Sequence, residues 1–439
     1  MRRVFFQTLG CKVNQYETEA MQQLFTAAGY ELAEDVSAAD VVVVNTCTVT
    51  AVSSQKSRQM IRRAAGANKN CVVAVVGCYA QSEPDEISKI DGVDVIIGTK
   101  DRTRIVELVE AALNNRGEKI LQVGTVDDIC DFEELPHSPH RTRAFLKIED
   151  GCNNFCAYCI IPHVRGRVRS RSLESIRAEC LALKAAGYKE IVLTGIHIGA
   201  YGRDLRGQGS GVRGQGISLV DAVKTVLDAA EPMRLRLGSI ESAEMTDELI
   251  DLLKNDARLC NHVHLPLQSG SDEILRAMRR PYTTKNFSEL TARLVAEVEN
   301  ISIGTDLIVG FPGETDENFS ETLNFIREQP FSKIHVFPYS ARRGTLAAAM
   351  SNQIPPQIKK IRATQALEVS RAKAQAFSER LIGQIVEVIA ETSTGGIVDG
   401  LTKNYVRVYL PDKNIQLGSV VRVKVERLYR DGVIGAAID

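Results

Sequence analysis

The strongest chemical signal in this sequence is a loop that carries three closely spaced cysteines. Residues 149–159 read Glu-Asp-Gly-Cys-Asn-Asn-Phe-Cys-Ala-Tyr-Cys, which places thiols at Cys152, Cys156 and Cys159. With ten cysteines in 439 residues, this spacing should arise by chance only about 0.005 times per chain. Three thiolates can hold three irons of a [4Fe–4S] cluster, which normally takes four cysteines. The fourth iron is then open to a substrate or cofactor, so the loop predicts a catalytic site.

A zinc site is the alternative interpretation of the same loop. His163 lies four residues after Cys159 and could complete a tetrahedral set of three cysteines and one histidine. Zinc knuckles rarely open a series of strand–helix units, and such a series follows this loop. The surrounding pattern therefore favours the iron–sulfur cluster.

A second group of cysteines is spread along the first quarter of the chain. Cys11, Cys47 and Cys78 each follow a predicted strand. The carboxyl ends of parallel strands share one edge of a sheet, where ligands bind, so these three thiols can converge. Cys71 begins a strand and is expected at the opposite edge. The alternative is that the three are buried free cysteines, which is a common fate of this residue.

The elements that would position these thiols belong to an α/β fold class. Short β-rich runs alternate with helical patterns through residues 1–115, which predicts a parallel sheet with helices on its faces. Six further strand–helix units favour an open (βα)6 partial barrel, with sites at the carboxyl ends of its strands. Five short strands at the end predict a small all-β barrel. The predicted boundaries are 1–115 for the first domain, 116–137 for a linker, 138–370 for the partial barrel and 373–439 for the all-β barrel.

Composition limits where the protein works and what it binds. No apolar run approaches the ~20 residues of a membrane span, and the first residues are typical of a strand, so we expect a cytoplasmic protein without membrane contact. Thiols stay reduced there, which favours metal ligation over disulfides. The net charge is −1, yet basic residues cluster in 52–69 and 139–171. The Gly- and Arg-rich segment 202–216 is expected to be a flexible surface loop.

The loop with Cys152, Cys156 and Cys159 resembles the signature of the radical-SAM superfamily, and the sixfold strand–helix pattern is similar as well. The resemblance implies that the open iron binds S-adenosylmethionine (SAM), whose reductive cleavage yields a 5′-deoxyadenosyl radical. It also implies that Glu241, Gln268 and Asp306, which lie in or near motifs that follow strands, contact SAM or substrate. A solvated or capping role is the alternative for these three residues.

The short motifs around Cys11, Cys47 and Cys78 resemble the N-terminal domain of the methylthiotransferase family. They read Leu-Gly-Cys-Lys-Val-Asn, Asn-Thr-Cys-Thr-Val-Thr and Gly-Cys-Tyr-Ala-Gln. The resemblance implies that Cys11, Cys47 and Cys78 hold a second [4Fe–4S] cluster, which handles the inserted sulfur. The last segment resembles a TRAM domain, a small barrel that binds RNA. Cys130, Cys180 and Cys260 match no ligand position and are expected to be packing residues.

The branches of this family act on different substrates. The segment from Cys11 to Glu17 resembles the branch that acts on N6-threonylcarbamoyladenosine (t6A) at tRNA position 37. The isopentenyl-adenosine branch typically has Gln-Met-Asn after the first cysteine, and the branch that modifies a ribosomal-protein aspartate has Pro-Lys-Asn. The implied reaction converts t6A37 to its 2-methylthio form by sulfur insertion at C2 and methyl transfer. The other two branches, and a non-catalytic iron–sulfur RNA-binding sensor, are the alternatives.

The implied partners are the anticodon loop of ANN-decoding tRNAs that contain t6A37, an electron donor such as flavodoxin or ferredoxin, and a sulfur donor. RNA phosphates are expected to meet the arginines that follow the cysteine loop, with ion pairs to protein carboxylates as the alternative. These arginines are Arg165, Arg167, Arg169 and Arg171.

Overall fold

A computed structural model describes residues 1–68, 70–136, 142–205, 216–412 and 414–438 of the chain. Most of the predicted surface loop 202–216 lies outside these residues. The last position of the first basic run, Lys69, and the first positions of the second run also lie outside them.

The N-terminal domain is a six-stranded parallel sheet with helices on both faces. Its strands are β1 (Arg3–Thr8), β2 (Glu31–Leu32), β3 (Val41–Thr46), β4 (Val72–Gly77), β5 (Val95–Ile97) and β6 (Ile120–Gln122). Its helices are α1 (Lys12–Ala27), α2 (Ala51–Ala67), α3 (Cys78–Ser82), α4 (Pro84–Ser88) and α5 (Ile105–Asn114). The strand order is β2-β1-β3-β4-β5-β6.

Burial on both faces explains why the central strands are almost purely apolar. Every residue of β3 and β4 is buried, and valine dominates both strands. Parallel strands that are covered by helices read as continuous apolar runs of this kind. Strand β6 lies inside the segment predicted as a linker, where it pairs with β5 through Val95 and Ile120. This part of the segment therefore belongs to the sheet.

The central domain contains six parallel strands that follow one another in chain order. Its strands are β7 (Ala144–Lys147), β8 (Glu149–Asp150), β9 (Arg169–Ser170), β10 (Glu190–Thr194), β11 (Arg234–Arg236), β12 (His262–His264), β13 (Ser302–Val309) and β14 (Phe331–Pro338). Strands β8 and β9 form a separate antiparallel pair, and the other six are the parallel barrel strands. One sheet has the order β7-β10-β11, and another has the order β12-β13-β14. Parallel bridges Leu235–Leu259 and Ser239–His264 join them. The predicted partial barrel is confirmed, with β7 and β14 as its end strands.

Helices accompany the strands of this domain, and most of them cover the outside of the barrel. They are α6 (Ile161–Arg165), α7 (Leu173–Ala185), α8 (Leu219–Ala229), α9 (Asp247–Asn255), α10 (Asp272–Ala277), α11 (Thr284–Glu297), α12 (Asp316–Glu328) and α13 (Leu346–Ala349). Ile191 and Leu193 of β10 belong to the large apolar core beneath these helices. Because successive strand residues point to opposite faces, Glu190, Val192 and Thr194 face the barrel interior.

A long helix leads into a closed five-stranded barrel at the end of the chain. The elements are α14 (Pro356–Glu379), β15 (Ile385–Thr394), β16 (Ile397–Thr402), β17 (Arg407–Pro411), β18 (Val420–Tyr429) and β19 (Gly432–Ile438). Helix α14 packs on β14. The Arg236 guanidinium donates hydrogen bonds to the carbonyls of Thr402, at 2.9 Å, and Lys403, at 2.8 Å. These bonds fasten the small barrel to the amino-terminal ends of the central strands.

None of the helices in the described ranges combines the length and the apolar composition that crossing a membrane requires.

Candidate active site with two cysteine triads

The structure brings Cys11, Cys47 and Cys78, here called the first triad, to one edge of the N-terminal sheet. Cys11 is the N-cap of α1, Cys47 directly follows β3, and Cys78 begins α3 directly after β4. The first two loops touch at Gly10, where φ is +113° and an added Cβ would lie 3.0 Å from the Cβ of Cys47. A side chain at this position would therefore strain the backbone and push the loops apart.

The electrostatics of the first triad show that its thiols interact. Burial raises the pKa of all three thiols, and that of Cys11 rises further because of Cys47. Cys78 raises the pKa of Cys47, and Cys11 raises that of Cys78. Arg165 opposes these effects, because its Nε donates a hydrogen bond to the Cys78 Sγ at 3.2 Å. The Cys11 residue as a whole is exposed. Its Sγ atom is nevertheless surrounded by protein atoms.

Cys152, Cys156 and Cys159, here called the second triad, lie on the loop after β8, at the carboxyl end of the first barrel strand. Burial raises the pKa of Cys152 and of Cys159 to about 12, and the neighbouring Cys156 thiol contributes to both shifts. Arg280 Nη1 donates to the Cys156 Sγ at 3.2 Å. The backbone amide of Asn154 donates to the Cys152 Sγ at 3.5 Å. Donors to the sulfurs are suited to thiolates that bind a metal cluster.

His163, the fourth ligand of the zinc alternative, lies outside the second triad. In the described part of the chain, no three His, Cys, Asp or Glu side chains are close enough to share one ion. The thiols of a [4Fe–4S] cluster bind different irons and have no need of that proximity. The exposed ring of His163 packs edge-on against Phe155 at 5.8 Å instead of joining the second triad. His163 therefore does not complete a zinc site with the second triad, and the six triad cysteines stay the predicted ligands of two clusters.

A buried network of charges connects the two triads. Arg165 Nη1 lies 2.9 Å from Glu17 Oε1 of α1 and 3.0 Å from Asp150 Oδ1, two residues before Cys152. Lys147 Nζ lies 3.0 Å from the same Glu17 oxygen and 2.7 Å from Asp150 Oδ2. Burial alone would raise the pKa of Glu17, but Arg102 and Arg165 outweigh it and lower that pKa.

Sequence reasoning assigned no function to Glu17, Arg102 or Lys147. Glu17 lies at the end of the word that begins with Cys11, and Asp150 lies directly before the Gly-Cys of the second loop. A signal for these two acids was therefore present in the sequence. The cations of the central domain that bind Glu17 come from segments more than 100 positions away, and only the tertiary structure identifies them.

The predicted phosphate contacts are wrong for three of the four arginines. Arg165 is fully buried in the network, and Arg169 donates to the carbonyls of Arg165 and Arg167 at 2.8 and 2.7 Å. Arg171 is buried in ion pairs with Glu179 and Glu134. These cations bind protein acceptors because the segment packs between domains. Arg167 is exposed, and its phosphate role stays a prediction.

The three predicted SAM or substrate contacts lie in different settings. Glu241 forms an ion pair with Arg280, the same arginine that donates to Cys156. Gln268 is buried with φ at +67°, and its backbone amide donates to the Asp306 carbonyl at 2.9 Å. The Asp306 carboxylate lies 3.2 Å from His264 Nε2. All three surround the barrel interior, and their contact with a cofactor or substrate stays a prediction.

The remaining cysteines lie apart from both triads. Cys71, Cys180 and Cys260 are buried, as expected of packing residues, and Cys71 lies at the start of β4, away from the triad edge. Cys130 is exposed. The packing role expected of Cys130 is therefore wrong, because its segment lies on the surface.

Two family models match the chain. The radical SAM superfamily model matches residues 146–326, and the model described as Uncharacterized protein family UPF0004 matches residues 3–98. Solved structures support the fold. A radical SAM methyltransferase, TsrM from Kitasatospora setae, has a TM-score of 0.56 at 16% identity and covers 79% of this chain and 75% of its own.

Curated relatives are similar over nearly their whole length. "Threonylcarbamoyladenosine tRNA methylthiotransferase MtaB" of Bacillus subtilis is 42% identical, covering 97% of this chain and 94% of its own. The "tRNA-2-methylthio-N(6)-dimethylallyladenosine synthase" of Clostridium tetani is 33% identical, covering 96% and 93%. The chain belongs to the radical-SAM methylthiotransferase family, and it is an enzyme whose cofactors are two [4Fe–4S] clusters and SAM.

Proposed function

We propose that this enzyme inserts sulfur at C2 of t6A37 in tRNA and methylates it, giving the 2-methylthio derivative. The observation that carries the proposal is the buried Arg165 guanidinium that lies between the two triads. Arg165 donates to Cys78 in the first triad and to Asp150 beside the second. A site that joins a sulfur-handling cluster to a radical-generating cluster supports this chemistry, which acid–base residues could not perform on an unactivated C–H bond.

The six triad cysteines are the proposed ligands of the two clusters. When bound, the clusters and SAM supply the radical chemistry and the sulfur, and the protein positions and shields the reacting groups. Arg280 and Arg165 each hold one ligand sulfur by a hydrogen bond. Glu241, Gln268 and Asp306 are proposed to contact SAM or substrate around the barrel interior.

The names of the relatives support t6A as the proposed substrate. Proteins named for threonylcarbamoyladenosine from Bacillus subtilis, Aquifex aeolicus and Thermotoga maritima are 42%, 36% and 35% identical to this chain. Relatives named for dimethylallyladenosine reach 36% identity in Moorella thermoacetica, which makes that tRNA base the second candidate. Exposed cations on α2, among them Lys56, Arg62 and Arg63, are suited to RNA phosphates. An electron donor such as flavodoxin or ferredoxin, and a sulfur donor, complete the proposal.

Mass spectrometry of tRNA nucleosides tests the proposal. Cells that lack this protein should lose 2-methylthio-t6A, and complementation with the natural chain should restore it. A Cys11→Ala variant is the matched control and should fail to restore it. If the 2-methylthio isopentenyl nucleoside disappears instead, the substrate is wrong and the chemistry stands. If no nucleoside changes, the reaction on tRNA is contradicted, and the ribosomal-protein aspartate is the substrate to measure next.

A further inference from the structure

Charged side chains line the interior of the partial barrel, here called the chamber, and the buried carboxylate of Glu190 is already neutralised there. Glu190 begins β10, and its Oε2 lies 2.8 Å from Arg234 Nη2. Its Oε1 lies 2.8 Å from Arg236 Nε and 3.4 Å from Arg143 Nη1. Three guanidiniums therefore surround one carboxylate, and Glu391 pairs with Arg143 alone. This part of the chamber carries more positive than negative charge.

Lys12 adds a further cation to this chamber. It is the first residue of α1 and directly follows Cys11 of the first triad. One turn later, Tyr16 packs against Phe145 of β7 and Val192 of β10, which lie on the inner side of the barrel. Residues four apart share a face of a helix, so Lys12 lies on the face of α1 that is directed at the barrel.

The groups that act on the Lys12 amine are two guanidiniums, one carboxylate and one phenol hydroxyl. Lys12 lies within electrostatic range of Arg143, Arg236, Glu190 and the Tyr405 hydroxyl from the C-terminal barrel. Within the described ranges, its amine forms no ion pair, and Glu190 is occupied by the arginines. Lys12 is half-buried, and an ammonium that is partly withdrawn from water beside two guanidiniums is stabilised when an anion joins it. The chamber is thus suited to an anionic group of a ligand.

We propose that Lys12 binds the carboxylate of the substrate's modified base and thereby selects an adenine that carries an acidic substituent. The inference rests on the proposed function, because the carboxylate is the ionised group of the threonylcarbamoyl side chain at neutral pH. A charge-assisted hydrogen bond between an ammonium and a carboxylate is about twice as strong as a neutral one. Since Lys12 adjoins Cys11, the same contact holds the base near the first triad.

Binding of two matched RNAs to the cluster-loaded enzyme tests the proposal. One is an anticodon stem-loop with t6A at position 37, and the other carries the neutral methyl ester of the same group. The natural enzyme should bind the acid on the order of 10-fold more tightly than the ester, as measured by fluorescence anisotropy. Lys12→Met should reduce this ratio to about 1, whereas Lys12→Arg, which keeps the charge, should preserve a preference for the acid.

Lys56→Met provides the matched control, because it removes one exposed lysine from α2 outside the chamber. It should weaken binding of both RNAs by the same factor, since phosphate contacts are common to both. Iron content and visible absorption identify any variant that fails to assemble its clusters. Lys12→Gln is the second neutral variant, and the acid-to-ester ratio of the natural enzyme is an independent measurement that needs no variant.

The experiments distinguish failure of the Lys12 contact from failure of the proposed reaction. Equal affinity of the natural enzyme for acid and ester, or an unchanged ratio in both neutral variants, would overturn the role of Lys12. Turnover of t6A and isopentenyl stem-loops by the natural enzyme is measured separately. Conversion of the isopentenyl RNA alone would overturn both the proposed substrate and the carboxylate contact. Conversion of t6A with an unchanged ratio in the variants would overturn the lysine contact alone.

Discussion

At the scale of single residues, two arginines donate hydrogen bonds to the proposed cluster ligands, one in each triad. Arg165 bonds to Cys78 and Arg280 bonds to Cys156, both at 3.2 Å. Hydrogen bonds to ligand sulfurs and burial are among the properties that set the reduction potential of an iron–sulfur cluster. In both sites, therefore, one ligand sulfur accepts a hydrogen bond from an arginine, although the cysteines come from unrelated loops.

Substitution of the cysteines should separate the two triads by function. Cys152→Ala, Cys156→Ala or Cys159→Ala should abolish SAM cleavage, because the second cluster loses a ligand. Cys11→Ala, Cys47→Ala or Cys78→Ala should spare SAM cleavage and stop sulfur insertion. Chromatography of 5′-deoxyadenosine and of modified RNA measures both reactions, and iron analysis verifies that the other cluster remains.

Cys130→Ala is the control for this series, because Cys130 is exposed and lies outside both triads. It should leave both reactions unchanged. Loss of SAM cleavage in the first-triad variants, with the second cluster intact, would contradict this division of labour.

At the scale of elements, strand β10 joins the central barrel to the C-terminal barrel through Glu190. Burial by itself would raise the pKa of this carboxyl, but Arg236 and Arg234 outweigh it and lower the pKa to about 2. Arg236 in turn donates to the Thr402 carbonyl of β16. One buried carboxylate thus orients the guanidinium that fastens the small barrel.

Glu190→Gln should destabilise the protein by about 3–5 kcal/mol, because it leaves buried arginines without a counter-ion. The stabilisation by Glu190 is fully present above its ordinary pKa of 4.5 and is lost as the pH falls through about 2. Urea unfolding between about pH 5 and pH 3 should therefore show a steeper loss in the natural protein than in the variant. Glu289→Gln, at an exposed ion pair with Lys285, should change stability by less than about 0.5 kcal/mol. Parallel pH profiles in the natural protein and Glu190→Gln would contradict the assignment.

At the scale of the whole molecule, buried charges rather than apolar contacts alone join the N-terminal domain to the central barrel. Glu17 of α1 meets Arg165 and Lys147 of the barrel, and Arg102 approaches Glu17 at 3.1 Å. A few apolar side chains add to this junction, among them Tyr16 against Phe145 and Val192. The relative placement of the triads therefore depends on a small number of ion pairs.

Arg165→Met should weaken the coupling between the domains, because it leaves Glu17 and Asp150 with fewer cations. Breaking a buried ion pair costs about 3–5 kcal/mol, so we expect the N-terminal domain to unfold at lower urea than the central barrel. Separate fluorescence and circular dichroism transitions would report this loss of cooperativity. Arg62→Met, at an exposed position on α2, should keep the unfolding profile of the natural protein. A single unchanged transition in Arg165→Met would refute the coupling role.

The sequence by itself determined most of the elements and singled out the six cysteines of the triads. Local patterns of apolar residues predicted β3, β4, β10 and the five strands of the last barrel. Burial on one or both faces of a strand produces a pattern of apolar residues that is visible within a few positions. The cysteines could be grouped because each follows a strand, and parallel strands bring their carboxyl ends to one edge.

Only the tertiary structure decided which charges meet. Arg165 had been predicted to bind phosphate, yet it is buried between Glu17 and Asp150, which lie 148 and 15 positions away. Lys12 gave no signal of its own until α1 was seen to pack against the barrel. Strand β6 was predicted as a linker because it has only three residues, two half-buried and one exposed, which are too few to show a clear period of apolar residues. Long-range pairing depends on how domains dock, and no local pattern records it.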